Sequence, residues 1–323
     1  MTVLIIGAGL IGSHIAKSCL SSGNCVRMVG FHLEHEYIHN ISGLSRECMI
    51  DMAISSKEQV YTLLQEYAIE TVIIAAGSMH QTFQKHTGAA IANEARLLMS
   101  IYEACLMKPP KQLIYISSLA VYGSGRERSE DQLPIPVSAY GISKLYSEQL
   151  IGRLSQQTNT SVHILRPAGV LGPNPSTSGN WMSTAINQLF IKDDPNLSSS
   201  IQWKQEIECT DVRDLAGFVA ELLQSNLVNP ESSIEILNIG SGKMLSAEQL
   251  MYELKCFFRL PVQSESITFA TSQALPIEKA NTLYGYVPAY TFADSLMYIA
   301  QYYGRDYANN QKANTVQLGG NVK

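Results

Sequence analysis

The chain has 323 residues, 46% of them hydrophobic and 16% charged, and carries a formal net charge of −5. That length can bury a sizeable core in one large or two modest domains. The scattered charge gives neither the basic face that nucleic acid requires nor a polybasic membrane patch, which excludes both partner classes.

The six cysteines, Cys19, Cys25, Cys48, Cys105, Cys209 and Cys256, form no C-x-x-C pair. Their dispersion fits a reducing compartment better than a disulfide framework. The opening apolar run Val3 to Ile6 has no basic segment before it and meets glycines at once. It reads as a first strand, not a signal peptide. No apolar run is long enough to span a bilayer, so a cytoplasmic protein is expected.

Val3-Leu4-Ile5-Ile6 has the continuous apolar texture of a buried parallel strand. Gly7-Ala8-Gly9-Leu10-Ile11-Gly12 follows, then a helical pattern to Gly23, then a strand from Cys25 to Val29. A strand, a G-x-G-x-x-G turn, a helix and a strand within about thirty residues form the context that a dinucleotide site needs. Glycines let the backbone approach a pyrophosphate, and the helix N-terminus favours its charge.

The second strand ends Val29-Gly30-Phe31-His32 with no acid for an adenosine ribose; Glu34 and Glu36 come later. Absence of the acid removes repulsion against a 2′-phosphate, so the cofactor is NAD or NADP with NADP favoured. Arg27, His32 or Arg46 would be its positive partner. His32, His35 and His39 lack the spacing and companions of a metal set and read as a solvated loop, so no metal is expected.

Ile50-Asp51 ends a third strand. Ser55-Ser56-Lys57-Glu58 reads as a capping box opening a helix that runs to about Tyr67. A fourth strand, Thr71 to Ala75, enters Ala76-Gly77, small residues suited to a crevice at a strand's carboxyl end, with His80 shortly beyond. A long helix from Ala89 to Cys105 carries Asn93 near its start. Leu113 to Ser117 is a fifth strand, Ala139 to Leu154 a helix, and Val162 to Arg166 a sixth strand. Six alternations before residue 170 predict an α/β Rossmann-type doubly wound parallel sheet.

After Pro167 the texture changes. Residues 172–180 read as a loop over the crevice, with helices expected at Ile186 to Ile191, Asp211 to Gln224, Ser246 to Phe258 and Phe292 to Tyr303, and a strand at Ile236 to Ile239. The expected division is a dinucleotide-binding domain over 1–170, with 211–240 packing back onto it. A smaller substrate lobe falls mainly in 171–304, and 305–323 is a mobile tail.

Ser118, at the end of the fifth strand, and Tyr140-Gly141-Ile142-Ser143-Lys144 bring proton chemistry together. Positions i and i+4 share a helix face, so Tyr140 and Lys144 point into one pocket. A free tyrosine ionises near pKa ~10, too high for a base at neutral pH, and a neighbouring ammonium favours the phenolate. Ser118 would hydrogen-bond the reacting oxygen and steady developing charge.

On these residues the chain resembles the extended short-chain dehydrogenase/reductase family, in its NAD(P)-dependent epimerase/dehydratase branch, over about residues 2–303. The resemblance rests on the glycine turn, Ala75-Ala76, Ile116 to Gly123, Tyr140 with Lys144, Leu165-Arg166-Pro167, Val170 to Pro173, Asp211 to Asp214 and Asn238 to Gly242. It implies Ser118, Tyr140 and Lys144 as catalytic groups, with Asn93 supporting Lys144. It implies cofactor contacts from Gly7, Gly9, Leu10, Ile11, Gly12, Asp51 (at adenine), Met52, Ala75, Ala76, Gly77, Asn93, Tyr140, Lys144 and Pro167. Substrate contacts would come from His80, Ser118, Gly169 and Trp181. A homodimer paired through the helices of Asn93 and Tyr140 is also implied.

Departures from the family pattern bear on substrate. Leu119-Ala120 replaces the Asp-Glu pair of dehydratases, which makes 4,6-dehydration unlike this chain. Gly169 and Ile207 stand where nucleotide-sugar enzymes often have an asparagine and an arginine, and Glu206 and Glu208 flank Ile207. A buried diphosphate needs paired charge, which Lys204 or Arg213 would have to supply. Three readings follow: an NAD(P)-dependent oxidoreductase or epimerase of a sugar or nucleotide sugar, a carbonyl reductase of a small metabolite, and a non-catalytic NAD(P)-binding regulator.

Overall fold

The computed structural model describes residues 1–77, 80–123, 128–174, 181–192, 206–224, 234–261 and 268–305, without the side chains of His80, Gln81 and Trp181. Seven parallel strands form its central sheet: β1 (Thr2–Ile6), β2 (Cys25–Gly30), β3 (Met49–Asp51), β4 (Thr71–Ile74), β5 (Gln112–Ile116), β6 (Ser161–Pro167) and β9 (Ile234–Ile239). Their order is β3-β2-β1-β4-β5-β6-β9, with every pairing parallel. This is the doubly wound α/β sheet that the alternation predicts. The strands are aliphatic on both faces because both are covered; Val72, Ile73 and Ile74 have no exposure at all.

Helices α1 (Leu10–Ser21), α2 (His35–Ser42) and α8 (Val212–Gln224) cover one face, through Ile15, Ile38, Ile41, Phe218 and Val219. Helices α3 (Lys57–Glu66), α5 (Thr87–Met107) and α6 (Ala139–Gln157) cover the other, through Leu63, Leu98, Ile101, Ile151 and Leu154. A short helix α4 (His80–Lys85) precedes α5. A second, three-stranded sheet, ordered β10-β8-β7, uses β7 (Gly169–Leu171), β8 (Ile207–Asp211) and β10 (Met244–Leu245). Around it pack α7 (Trp181–Lys192), α9 (Ala247–Phe258) and α11 (Phe292–Tyr302), sharing a separate core of Phe190, Leu250, Leu254, Leu296 and Ile299. The remaining helix, α10 (Glu278–Tyr284), adjoins β9.

Several local expectations change. The histidine-rich stretch is not a loop: His35 and His39 sit on α2, where His39 Nδ1 lies 3.0 Å from the Leu44 carbonyl oxygen. The capping box at α3 pairs Ser56 with Gln59, one residue later than predicted, because the N-cap is Ser56. Residues 306–323 of the expected tail 305–323 lie outside the described residues, as do 175–180 of the expected crevice loop. Among the described residues no helix is long and apolar enough to cross a membrane.

Candidate active site

The sheet order reverses between β1 and β4, and a cleft of about 720 Å³ opens beyond their carboxyl ends. Its floor is the glycine turn. Gly7 takes φ +110°, and a Cβ there would lie 2.4 Å from the Ala76 amide nitrogen. A Cβ on Gly12 would fall 1.9 Å from the Gly7 carbonyl oxygen, so Gly12 seals the turn and does not line the cleft. Gly9 has nothing within 4 Å of its Cβ position and faces open space. It caps α1 without a side-chain hydrogen bond, and the first turn of α1 holds no acid. First-turn amides, which no intrahelical carbonyl can reach, thus meet the cleft beside Gly9, Leu10 and Ile11. This bare, glycine-floored helix end fits a dinucleotide pyrophosphate.

The outer end of the cleft is walled by the turn after β2. Asp51 is not among the cleft-lining residues. Its carboxylate accepts hydrogen bonds from the backbone amides of His32 (3.0 Å) and Leu33 (3.4 Å), holding His32 at φ +53°. Asp51 therefore builds the turn, a task the expected adenine contact did not foresee. A Cβ on Gly30 would meet Leu33 Cδ2 at 2.8 Å and Ala8 Cβ at 3.3 Å, so a side chain at this strand end, where an acid is usual, requires Leu33 to shift. His32 and Glu34 line the cleft instead, as do Met52, Ile54 and Arg96.

At the inner end stand Ala75, Ala76, Gly77, Asn93 and Val170. Ser118, Tyr140 and Lys144 are not part of the lining. A Cβ on Gly77 would sit 3.1 Å from Lys144 Nζ, which fixes how close the lysine comes. Lys144 is buried, donates to the Ile116 carbonyl at 3.3 Å, and lies 5.0 Å from the Tyr115 ring centroid and 5.9 Å from that of Tyr140. Burial alone would push this ammonium towards its neutral form. The facing Tyr115, Tyr140 and Glu94 outweigh it and hold the lysine above its ordinary pKa. Burial pushes the Tyr115 hydroxyl up to about 12.

Two elements bring Ser118 to Tyr140. Ser118 caps a single 3-10 turn, Leu119–Tyr122, and its oxygen accepts the Ala120 amide at 3.1 Å. Ser138 caps α6 by accepting the Gly141 amide at 3.0 Å. A Cβ on Gly141 would sit 2.4 Å from the Ala120 carbonyl oxygen, so the first turn of α6 lies directly on the turn that Ser118 caps. Phe83 of α4 meets the Tyr140 ring edge-on at 5.7 Å.

Beneath this floor runs a buried polar network. Arg166 donates to both oxygens of Glu148, at 2.6 Å to Oε2 from Nη2, and to the Tyr122 hydroxyl at 2.9 Å. Ser117 donates to Glu148, and Tyr122 donates to Asn238 Oδ1 at 2.7 Å. The network ties β5, β6, β9, α6 and the 3-10 turn together.

The other expected residues scatter. Pro167 ends β6, buried and paired with Ile239. Gly169 lies in β7 opposite Cys209, and a Cβ there would touch the Glu208 carbonyl oxygen at 3.0 Å. His80 and Trp181 open α4 and α7, but their side chains are outside the described set. Asn93 is exposed on the cleft side, and its neighbour Glu94 takes the place facing Lys144, with its carboxylate 3.8 Å from Nζ. The signal was available: Glu94 falls on the buried stripe Ala90, Leu98, Ile101 and Cys105 of α5. Asn174 and Ser183 also line the cleft without having been singled out; Asn187 fixes this crossover by accepting the Asn174 amide at 2.8 Å and donating to the Gly172 carbonyl at 3.0 Å.

Of the two expected charge substitutes for a diphosphate, the described one, Arg213, is engaged. Arg213 donates to both oxygens of Asp211, at 2.9 and 2.8 Å, and is stacked between Tyr290 and Tyr298. Glu208 accepts amides of Gly242 (2.9 Å) and Leu275 (2.7 Å), and Glu206 those of Thr271 and Ser272 (both 2.7 Å). Lys204 lies outside the described residues.

Known structures share this architecture. UDP-glucuronic acid 4-epimerase from Bacillus cereus, in complex with UDP-glucuronic acid and NAD, is 23% identical with a TM-score of 0.74, over 94% of this chain and 99% of that one. UDP-glucose 4-epimerase from Stenotrophomonas maltophila, with bound NAD and formylated UDP-arabinopyranose, is 21% identical with a TM-score of 0.78, over 94% and 98%. The UDP-glucose 4-epimerase of Thermotoga maritima with UDP-glucose is 19% identical with a TM-score of 0.73, over 94% and 99%. At these identities the likeness is one of fold. The sequence model of the NAD-dependent epimerase/dehydratase family matches residues 3–240, a span holding the glycine turn, Ser118, Tyr140 and Lys144. The chain belongs to the NAD-dependent epimerase/dehydratase family.

Proposed function

We propose that the protein is an NAD-dependent enzyme that inverts a hydroxyl-bearing carbon of a nucleotide sugar through a transient ketone. The observation that carries this reading is the stacking of the α6 first turn on the turn capped by Ser118, with Lys144 pressed against Gly77 at the inner end of the cleft. The nucleotide-sugar part rests on the structures of the same fold, whose ligands are UDP-sugars.

Nicotinamide, when bound, supplies the hydride acceptor and donor. Tyr140 takes the proton of the substrate hydroxyl through its phenolic oxygen and returns it when the ketone is reduced. Lys144 places a buried positive charge 5.9 Å from the Tyr140 ring centroid. Ser118 already accepts the Ala120 amide, so its own O–H is free to donate to the reacting oxygen. The α1 amides hold the pyrophosphate, and Gly7, Gly9 and Ala76 leave it room.

NAD is preferred to NADP in this reading. The family is NAD-dependent, and Glu34 puts a carboxylate on the cleft wall where a 2′-phosphate would be repelled. Native mass spectrometry of the purified protein is expected to find NAD retained, and a panel of UDP-, GDP- and dTDP-sugars is expected to contain an epimerised substrate. Turnover of none of them, with reduction of a simple ketone, would favour the second reading, a carbonyl reductase of a small metabolite. That alternative draws on the engagement of Arg213 with Asp211, which occupies its Nε and Nη2.

The outer surfaces of α5 and α6 expose Ile91, Ile142 and Tyr146, and the segment before α6 exposes Leu133, Ile135 and Val137. We take this apolar strip as the homodimer interface. A single monomeric species in sedimentation at micromolar concentration would exclude it.

A further inference from the structure

Arg128 stands in the segment that leads to α6. Its carbonyl oxygen accepts Asn238 Nδ2 at 2.7 Å, and Asn238 Oδ1 in turn accepts the Tyr122 hydroxyl at 2.7 Å. Two residues on, Glu130 accepts the Asn238 amide at 2.8 Å. The backbone at Arg128 is thereby held to the carboxyl end of β9 and to the turn that Ser118 caps.

The guanidinium has no such tie. Arg128 is half-buried, and its Nε is shut off from solvent without a hydrogen-bond partner. Among the described residues its side chain makes no hydrogen bond and no ion pair. Burial pushes the Glu208 carboxyl up, and the Arg128 charge is among the groups that pull it back. Glu208 nevertheless gives its oxygens to the amides of Gly242 and Leu275. The other arginines nearby are engaged, Arg166 by Glu148 and Tyr122 and Arg213 by Asp211.

The place of this charge matters. Leu275, whose amide binds Glu208, packs with Val121, Tyr122 and Ala168, so the Glu208 side of β8 looks towards the 3-10 turn. Positions 169 and 207, where a diphosphate contact is often placed, both adjoin Glu208 and hold a glycine and an isoleucine. Ile207 packs into the core of the smaller lobe. A cation drawn partly out of water without a partner is costly, and a guanidinium fork matches two phosphate oxygens at once.

We propose that Arg128 binds the diphosphate of the substrate, supplying from the segment before α6 the charge that β7 and β8 lack. The proposal rests on the nucleotide-sugar reading given above and names the group that would recognise the anion.

Calorimetry of the NAD-saturated protein with UDP, GDP and dTDP identifies the diphosphate that binds, with its own monophosphate as reference. In Arg128→Gln the diphosphate is expected to lose roughly 10- to 100-fold in affinity relative to the monophosphate, the worth of a hydrogen bond between charged groups. An unchanged ratio overturns the proposal, because an arginine that only balances Glu208 would weaken both nucleotides alike. Binding of none of the three diphosphates to wild type overturns the nucleotide-sugar reading itself, and the role of Arg128 falls with it. Should Arg128→Gln fail to fold, a crystal structure of the wild-type protein with the bound diphosphate decides. The guanidinium is expected within hydrogen-bond distance of a phosphate oxygen, and a diphosphate held without Arg128 overturns the assignment.

Discussion

At the scale of single residues, the site divides its labour between groups that touch the reacting atoms and groups that hold them. Tyr140→Phe removes only the phenolic oxygen and keeps the edge-on contact with Phe83. It is expected to lower kcat by roughly 10²- to 10⁴-fold, with NAD affinity within a few-fold of wild type by calorimetry. Ser118→Ala removes a donor to the developing charge and is expected to lower kcat about 10²-fold. An unaltered rate in either variant would move the chemistry elsewhere in the cleft. The same scale shows where the sequence misleads. One residue is roughly 100° of helix, so Asn93 and Glu94 face different surroundings. The asparagine is the residue a motif suggests, yet the buried stripe of α5 selects the glutamate. Polarity argues against burying a glutamate until its partner on α6, fifty residues on, is known.

At the scale of elements, α6 is held by more than its apolar face. Glu148 lies one helical turn beyond Lys144 and is bound by Arg166 from β6 and by Ser117, just after β5. Arg166 and Glu148 are both nearly inaccessible, at 2% and 3%. Glu148→Gln leaves Arg166 with a neutral partner in that setting, and the loss is expected to be about 3–5 kcal/mol by urea unfolding. A cost below about 1 kcal/mol would mean that the network rearranges around a neutral amide. The main elements were legible because buried parallel strands are aliphatic runs and the helices between them have clear ends. Residues α2 and β7 contribute were not legible, for the opposite reason. A short helix rich in histidine has little apolar period, and a strand of three residues cannot show alternation.

At the scale of the whole molecule, two histidines link stability to pH. His14 lies between α1 and α11, with Nε2 2.9 Å from the Tyr298 hydroxyl, and His163 lies in β6 near Tyr284. Burial pulls each imidazole from its ordinary 6.5 down to about 4. Between those values the unfolded chain binds more protons than the folded one, so acid favours unfolding. Their contribution is complete above pH 6.5 and is lost as pH falls towards 4, on the order of 3 kcal/mol per ring. Urea midpoints measured across this window are expected to fall steeply with acid; a flat profile would show that the rings are protonated in place. At this scale we also propose the division of labour expected from the sequence. Residues 1–170 with 211–240 hold the dinucleotide, and 171–304 mainly hold the substrate. The return of α8 and β9 to the large sheet supports it.

The turn after β2 has a consequence for altering cofactor choice. Gly30 is the position where a single acidic substitution would ordinarily be tried, and a side chain there requires Leu33 Cδ2 to move aside. His32 and Leu33 are in turn fastened to Asp51 on the next strand. Preference for one dinucleotide over the other is therefore expected to depend on residues 30–34 and Asp51 acting as one piece. It should transfer between proteins as a grafted turn with its anchoring aspartate, and resist transfer as a point mutation.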